Sequence, residues 1–177
     1  MTKRQFYDWQ TAGGGGDVML LVQTLERHEF SWCVIDGLAV NHWAEEPIAT
    51  ADVDLVIATA SVEQAVTALE EVGFKPERFQ WSINLRGQSQ VSVQISTEPV
   101  YASFPAHAVA ADVHGILMRV ASLEDTLAGK LLAWRDPRRR PSKRQKDWLD
   151  IMRLVEAHRH LKPTLPPDAL PRLATSS

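Results

Sequence analysis

The chain has 177 residues and a formal net charge of −3, with 45% hydrophobic and 23% charged residues. This length suits one domain with a sizeable core, and the composition is that of an ordinary globular protein. No apolar run approaches the ~20 residues that cross a bilayer, and the first residues lack the apolar stretch of a secretory signal. We therefore expect a cytoplasmic protein with no membrane partner.

Basic residues are concentrated in one segment of the chain. Residues 135–146 contain seven basic side chains and one acidic side chain, although the whole chain is acidic. A protein that coats nucleic acid over its entire surface would be basic throughout. The pattern instead favours a local site for phosphate groups.

The first part of the chain alternates predicted helices and strands. Residues 1–16 end in four consecutive glycines, so we expect a flexible N-terminal arm. A helix is predicted over residues 17–29, where Asp17 is a suitable N-cap and apolar residues recur at helical spacing. A strand at 32–35, a short helix at 37–44, a strand at 53–58 and a helix at 61–73 follow.

The second part is predicted to continue with a hairpin and two long helices. Alternating residues at 79–85 and 91–95 favour an antiparallel hairpin, and residues 97–113 are expected to form a long loop. A strand at 116–120 precedes helices at 122–134 and 142–158. The sequence thus predicts an α+β protein with an α/β core over residues 17–121, a helical part over residues 122–160 packed on that core, and a disordered tail over residues 161–177.

Two carboxylates interrupt the strongest apolar strand. Successive side chains of a strand point to opposite faces, so Asp52 and Asp54 share one face while the apolar residues between and after them share the other. Two neighbouring carboxylates repel each other unless a cation lies between them. Hard oxygen ligands suit Mg²⁺ bound to a phosphate-bearing substrate, so the pair is a candidate magnesium site.

The order of several motifs resembles a known superfamily. The segments Ile35-Asp36-Gly37-Leu38-Ala39 and Ala49-Thr50-Ala51-Asp52-Val53-Asp54 are similar to the glycine turn and the Asp-x-Asp strand of polymerase-beta-like nucleotidyltransferases. The later segments at 120–130 and 138–151 resemble the helical half of the abortive-infection (AbiEii/AbiGii-type) toxin branch. Together these matches cover residues 17–160.

The resemblance implies a short mixed sheet flanked by helices and a Mg²⁺-dependent reaction. In that reaction a nucleoside monophosphate passes from a nucleoside triphosphate (NTP) to an RNA or protein acceptor, and a toxin of this kind is paired with a cognate antitoxin. By this analogy Asp52 and Asp54 are catalytic metal ligands. Gly37 belongs to the turn that approaches the triphosphate, and Thr50 contacts the substrate.

Three residues of the predicted C-terminal helices are further candidates. Lys130 lies within the inward stripe of its helix and requires an anion there; it either reaches the substrate phosphates or extends its ammonium to water. Asp147 lies on the packed face of the last helix, as a catalytic base or orienting group, or as an anchor for Arg138 or Lys143. Asp150 lies towards the edge of that face, where it contacts substrate or forms an ion pair with Lys146.

The basic segment supplies the remaining candidates for substrate binding. A run of arginine and lysine between two helices is commonly a solvated loop. The resemblance places these helices over the nucleotide, which makes Arg139 and Lys143 candidates for contact with phosphate or RNA.

Three departures from the family pattern favour an alternative. Asp36 stands where the first turn glycine is expected, Ile48 stands where toxin-like members often have arginine, and the strand at 91–95 lacks a third carboxylate. The alternative is a catalytically degenerate member that binds nucleotide, RNA or a protein partner without chemistry. A structural module whose basic loop docks on an acidic protein is a further possibility.

Overall fold

The computed structural model describes residues 14–50 and 52–174. The strands are β1 (Trp32–Ile35), β2 (Asp52–Ile57), β3 (Lys75–Arg78), β4 (Ser82–Arg86), β5 (Ser92–Ser96), β6 (Val109–Val113) and β7 (Ile116–Val120). The helices are α1 (Gly15–Arg27), α2 (Asp36–Trp43), α3 (Val62–Glu71), α4 (Leu123–Arg135), α5 (Pro141–Ala157) and α6 (Leu170–Ala174). No helix in this part of the chain is both long and apolar enough to span a bilayer. The predicted α+β class is confirmed.

All seven strands belong to one mixed sheet. Their order is β3-β4-β5-β2-β1-β7-β6. The central strand β2 runs antiparallel to β1 and parallel to β5, while β1 and β7 are parallel. The predicted antiparallel hairpin is the pair β4 and β5. Polar side chains on β2 therefore have neighbours on both sides, which fixes what surrounds the candidate metal ligands.

Two strands at the edges of the sheet were not predicted. Strand β3 pairs with β4 at one edge, and β6 pairs with β7 at the other. The predicted loop at 97–113 is wrong at its end, because β6 occupies residues 109–113. A two-residue turn at His114 and Gly115, both with positive φ, joins β6 to β7, as is typical of a tight hairpin. Edge strands carry few buried residues, so their alternation in sequence is weak.

One face of the sheet carries the larger core. Helices α1 and α3 pack their apolar stripes against this face, where β2 contributes Val53, Leu55 and Ile57. Fully burying such aliphatic side chains contributes about 1.5–3 kcal/mol each. The opposite face of β2 carries Asp52, Asp54 and Val56, and Val56 is buried in a small cluster with Cys33, Phe104 and Ala121.

Helix α1 begins earlier than predicted and does not use Asp17 as a cap. It begins at Gly15, so the predicted arm is shorter, and residues 1–13 lie outside the described residues. Asp17 lies in the first turn, where its buried carboxylate accepts hydrogen bonds from Ser89 N at 2.8 Å, Ser89 Oγ at 2.6 Å and Gln88 N at 3.2 Å. Helix α1 is thereby bonded to the turn between β4 and β5.

The prediction of a disordered tail is wrong for the described residues after 160. Residues 159–164 form a 3₁₀ helix, and α6 follows. Leu161, Leu165 and Ala169 are buried in a second core cluster with α4 and α5. Above them, the Arg172 guanidinium lies 5.4 Å from the centroid of the Trp148 ring. Prolines suggested disorder, but three apolar residues at four-residue intervals find a partner surface that the local sequence does not reveal.

Candidate functional site

Strand β2 brings the two predicted metal ligands to one face of the sheet. Asp52 is exposed at the start of the strand, and Asp54 is half-buried. Burial, together with the negative charges of Asp36 and Asp52, raises the pKa of the Asp54 carboxyl to about 7. The ionised pair is therefore disfavoured unless a cation is bound beside it.

The turn before α2 lies next to this pair. Strand β1 leads directly into α2 at Asp36, whose φ of 53° is in the left-handed region that aspartate tolerates better than most residues. At the next position, a Cβ added to Gly37 would lie 3.1 Å from Thr50 Oγ1. The structure thus places Gly37 and Thr50, two of the predicted substrate-binding residues, next to each other, and any side chain at position 37 would require Thr50 to shift by a few tenths of an ångström.

Lys130 is buried and surrounded by carboxylates. Only 4% of its side chain is exposed. Its Nζ donates to Asp36 Oδ1, lies 3.2 Å from Asp147 Oδ1 and lies 2.8 Å from Asp150 Oδ2. The prediction that Lys130 requires an anion is confirmed, but its ammonium neither extends to water nor is free to bind a substrate phosphate. Burial lowers the pKa of Lys130, yet the surrounding carboxylates raise it above its usual value.

The same contact changes the role of Asp36. Burial alone would raise the pKa of this carboxyl, but the Lys130 ammonium beside it holds the pKa below its usual range. Asp36 is therefore an anion already neutralised by the protein. The charge of Asp36 therefore gives little reason to expect that it would repel an anion bound in the neighbouring cavity.

Asp147 anchors two cations at once. Its carboxylate is buried and accepts from Lys130 Nζ at 3.2 Å, from Arg139 Nε at 2.6 Å and from Arg139 Nη2 at 3.3 Å. The predicted alternative, an anchor for a basic residue, is correct in kind. The partner is Arg139, however, whereas Arg138 pairs with Asp136.

Asp150 is not at an exposed edge, and the predicted ion pair with Lys146 is wrong. Its carboxylate is buried between Lys130 and Arg153, whose Nη1 donates to Asp150 Oδ1 at 2.9 Å. Arg153 also donates to Asn41 Oδ1 at 2.9 Å and to the Glu46 carbonyl at 2.5 Å. Arg153 was missed in the sequence, although its spacing of three residues after Asp150 on a helix is a usual signal for an ion pair.

These contacts form a closed ionic network, defined here as Asp36, Lys130, Arg139, Asp147, Asp150 and Arg153. Three carboxylates in it place oxygens within 4.8 Å of one another, an arrangement that can hold a metal ion. The Lys130 ammonium already contacts all three carboxylates. With three acidic and three basic side chains the network is neutral, so it has no need of a divalent cation.

The second carboxylate group lies next to this network and faces different cations. A small cavity of about 30 Å³ is shared by Asp52 and Asp54, the network and two lysines of α5. Its lining residues are Asp36, Gly37, Thr50, Asp52, Asp54, Lys130, Arg139, Lys143, Lys146 and Asp147. Lys143 and Lys146 are exposed. Neither makes an ion pair within the described ranges, so both ammonium groups are available to an anion.

The neighbouring strand supplies no third carboxylate. Strand β5 places Ser92 opposite Asp52 and Gln94 opposite Asp54. The departure noted in the sequence therefore falls directly beside the candidate metal ligands. Catalysis at this site would rely on positioning and charge, without an additional carboxylate base from β5.

The donor set fits a divalent cation. Asp52 and Asp54 offer hard oxygen ligands, as Mg²⁺ prefers. Mg²⁺ in proteins is usually held by one or two carboxylates together with substrate phosphates and water. The pKa of Asp54 is raised although the charges of Lys130 and Lys146 lower it in part, so this pair is less fully compensated than the neutral ionic network beside it.

The sequence matches one family model over most of its length. The family is described as nucleotidyl transferase AbiEii toxin, type IV TA system, and residues 39–175 are matched. No curated protein matches the chain.

Several solved structures share the fold at low sequence identity. A putative nucleotidyltransferase from H. pylori has a TM-score of 0.60 and 15% identity, with 93% of this chain and 75% of that chain covered. The lincomycin-bound lincosamide antibiotic adenylyltransferase LnuA has a TM-score of 0.55 and 11% identity, with 78% and 96% covered. An antigenic nucleotidyltransferase-like protein from Paracoccidioides brasiliensis has a TM-score of 0.53 and 21% identity, with 80% and 74% covered.

Proposed function

Because this chain belongs to the AbiEii nucleotidyltransferase toxin family of type IV toxin–antitoxin systems, we propose that it is an active, Mg²⁺-dependent enzyme. It transfers a nucleoside monophosphate from an NTP to a hydroxyl group of an RNA or protein acceptor. The acceptor oxygen bonds to the α-phosphorus, the bond from that phosphorus to the bridging oxygen breaks, and pyrophosphate leaves. The acceptor proton passes to solvent. We place the reaction in the cytoplasm, which supplies NTPs, and expect a cognate antitoxin as partner.

One observation carries the proposal. Two carboxylates, Asp52 and Asp54, share a small cavity with two lysines, Lys143 and Lys146, and none of the four forms an ion pair within 4.0 Å among the described residues. A cavity with unpaired charges of both signs suits a ligand that is itself a cation bound to a polyanion. A magnesium–triphosphate complex has this composition.

The residues of the cavity divide the work of binding. Asp52 and Asp54 would hold the metal, which supplies charge neutralisation on the phosphates when it is bound. Lys143 and Lys146 bind the phosphate oxygens from the α5 side. Gly37 keeps the turn before α2 close to Thr50, so that the backbone, rather than a side chain, borders the triphosphate. The ionic network fixes α4 and α5 against the start of α2.

Asp147 acts in this proposal as a positioning residue. Both its oxygens accept from cations, so it is not free to take a proton from the acceptor. Its contact with Arg139 orients the guanidinium at the wall of the cavity. Charge stabilisation and alignment then carry the rate enhancement, as is common in phosphoryl transfer.

The test is label transfer from each of the four NTPs, labelled at the α-phosphate, to total RNA and to total protein in the presence of Mg²⁺. We expect one of the two acceptor pools to be labelled, and chelation of Mg²⁺ to abolish labelling. Asp54→Ala should lower labelling by about 10²-fold or more while the protein stays folded, because a repelling charge is removed. Asp168 is an exposed carboxylate that pairs with Arg135 and does not line the cavity. Asp168→Asn is therefore the matched control and should label normally. Undiminished labelling by Asp54→Ala would refute the site.

The alternative of a catalytically degenerate protein has specific support in β5, where Ser92 lies opposite Asp52 and Gln94 lies opposite Asp54 in place of a third carboxylate. It predicts that Mg²⁺ and NTP bind, as measured by calorimetry, while no label is transferred to RNA or protein. An interaction module would instead bind an acidic partner in a salt-sensitive way, with no effect of NTP.

A further inference from the structure

A large open cleft lies beside the site just described. Its volume is about 880 Å³, and it is lined by residues of β3, β4 and β5 and by the turn between β4 and β5. Polar side chains dominate its lining, including Lys75, Asn84, Arg86 and Ser92. The cavity at Asp52 and Asp54 is far smaller, at about 30 Å³, so the cleft has room for a second, larger ligand.

Strand register connects the cleft to the candidate metal ligands. Asp52 is opposite Ser92 on β5, and Lys75 is opposite Arg86. The pairing of β4 with β5 ends at Leu85 opposite Val93, and continuing it by one residue brings Arg86 opposite Ser92. With strands ~4.8 Å apart, this row crosses the same face of the sheet from Asp52 to two cations about 10 and 14 Å away. Ser92, which lies between Asp52 and Arg86 in this row, is small and uncharged.

The two cations in this row have no acidic partner. Lys75 and Arg86 are exposed, occupy directly opposed positions on antiparallel strands, and lie within 4.0 Å of no carboxylate in the described part of the chain. Like charges directly opposite on a sheet are destabilising. An anion bound over both side chains would remove that repulsion.

A second row contains an amide oxygen that has no hydrogen-bond donor among the described residues. Asp54 is opposite Gln94, and Gln94 is opposite Asn84. Asn84 Oδ1 is buried and accepts no hydrogen bond from any described residue. A hydroxyl donor on a ligand in the cleft would satisfy it. Glu77, next in this row, is the single carboxylate among the lining residues.

The wall of the cleft is held in place by α1. The Asp17 carboxylate bonds to Gln88 and Ser89 in the turn, and a Cβ on Gly87 would lie 2.5 Å from Asp17 Oδ2. The turn is therefore fixed before any ligand binds. A fixed cleft reduces the entropy cost of binding.

We propose that this cleft is the acceptor subsite and that it binds the sugar–phosphate backbone of an RNA strand whose reacting hydroxyl lies at Asp52 and Asp54. Arg86 and Lys75 contact backbone phosphates, and Asn84 accepts a hydrogen bond from a ribose 2′-hydroxyl. This assignment rests on the proposed function, which places the reacting hydroxyl of the acceptor at Asp52 and Asp54. It selects RNA over protein as the acceptor. Two unpaired cations in line with the carboxylates favour a regularly charged strand over a peptide.

The test measures binding of a fluorescent single-stranded RNA by anisotropy, without NTP, at several salt concentrations. Arg86→Glu should weaken binding by about tenfold or more and lower the slope of log affinity against log salt by about 0.7, the value for one lost phosphate contact on a single strand. Lys75→Glu should weaken RNA binding similarly yet raise the midpoint of thermal unfolding, because a like-charge pair becomes an opposite-charge pair. Arg86→Lys should retain most of the affinity.

Controls separate this inference from the proposed function. Lys162→Glu reverses an exposed charge outside the cleft and should leave RNA binding within twofold, and none of the variants should change binding of Mg²⁺ and NTP. Preference for RNA over DNA of the same sequence, lost in Asn84→Ala, supports the assignment of Asn84, and equal affinity for both overturns it. Unchanged RNA affinity and salt slope in both charge-reversed variants overturn the subsite. If RNA binding responds as expected but wild-type protein transfers no label, only the proposed function fails.

Discussion

Lys130 illustrates how one buried charge can join several helices beside a cavity. Its ammonium contacts Asp36 at the start of α2 and two carboxylates of α5, while the side chain itself belongs to α4. Three helices are thus joined at one point. The partners Arg139 and Arg153 complete the neutralisation, so the network presents little net charge to the neighbouring cavity at Asp52 and Asp54.

Removing the Lys130 ammonium should lower the free energy of unfolding by more than the loss of one hydrogen bond would. Lys130→Met leaves two buried carboxylates, Asp147 and Asp150, and the half-buried Asp36 without their common cation, and we expect the free energy of unfolding to fall by about 3–5 kcal/mol. Urea denaturation measures this loss. Lys143→Met, on an exposed lysine of the same cavity, is the matched control and should change stability by less than about 0.5 kcal/mol. Equal effects of the two substitutions would show that Lys130 is not the centre of a buried network.

Asp17 is a single carboxylate that joins two distant parts of the chain. Burial raises its pKa, but hydrogen bonds from Ser89 and Gln88 outweigh this and hold the pKa below its usual value. A carboxyl whose pKa is depressed on folding contributes stability above its unfolded pKa, and that contribution is lost as pH falls through its folded pKa.

The pH dependence of Asp17→Asn tests this linkage. Above pH 5 the wild type should be more stable than the variant by about 1–3 kcal/mol, the range for hydrogen bonds to a charged group. The difference should shrink below about pH 4, since 3.9 is the ordinary pKa of aspartate. Thermal unfolding of both proteins from pH 7 to pH 3 measures the difference, and all other carboxylates cancel in the comparison. A gap that stays constant over this range would contradict the account.

Among the structural elements, the C-terminal segment is the least expected contributor. This segment packs three buried residues against α4 and α5, namely Leu161, Leu165 and Ala169. The same two helices carry Lys130 and the cavity lysines Lys143 and Lys146. The segment therefore stabilises the two helices that carry these lysines. Its apolar residues replace the water that would otherwise cover the outer side of the two helices.

Truncating Leu165 should reveal that support. Leu165→Ala removes a side chain that is 5% exposed, and we expect a loss of about 2–4 kcal/mol in the free energy of unfolding. Leu170→Ala is the control, because Leu170 is 38% exposed and should cost well under about 1 kcal/mol. If the two variants are equally stable in chemical denaturation, the segment does not pack as described.

Elements with a strong internal pattern were predictable from the sequence, and elements without one were not. The alternation along β2 and the hairpin of β4 and β5 depends on nearest neighbours in the chain, which a sequence displays directly. Strands β3 and β6 are edge strands, and α6 has five residues, so their stability comes from partners elsewhere.

The candidate site follows the same division. Asp52 and Asp54 were predicted correctly to share one face of a strand, since a period of two determines the face. The partners of Lys130 and Asp150 were not predicted, because Asp36 and Lys130 are 94 positions apart and no local spacing connects them. Helical periodicity indicated that Lys130 and Asp147 point inward, but it could not show that they contact each other.

For the molecule as a whole, two groups of carboxylates lie side by side and have opposite electrostatic states. The ionic network is neutral and internally paired. Asp52 and Asp54 are not, and the pKa of Asp54 is raised to about 7 by burial and by neighbouring negative charges. The first group holds three helices together, and we propose that the second group binds the metal.

The most direct test is calorimetric titration of Mg²⁺ with a nonhydrolysable NTP into wild-type protein, Asp54→Asn and Asp150→Asn. Asp54→Asn should lose metal-dependent nucleotide binding while its thermal stability is unchanged or higher. Asp150→Asn should retain that binding despite lower stability, because it alters the network and leaves the cavity carboxylates in place. Normal binding by Asp54→Asn together with lost binding by folded Asp150→Asn would contradict the assignment and place the metal in the ionic network.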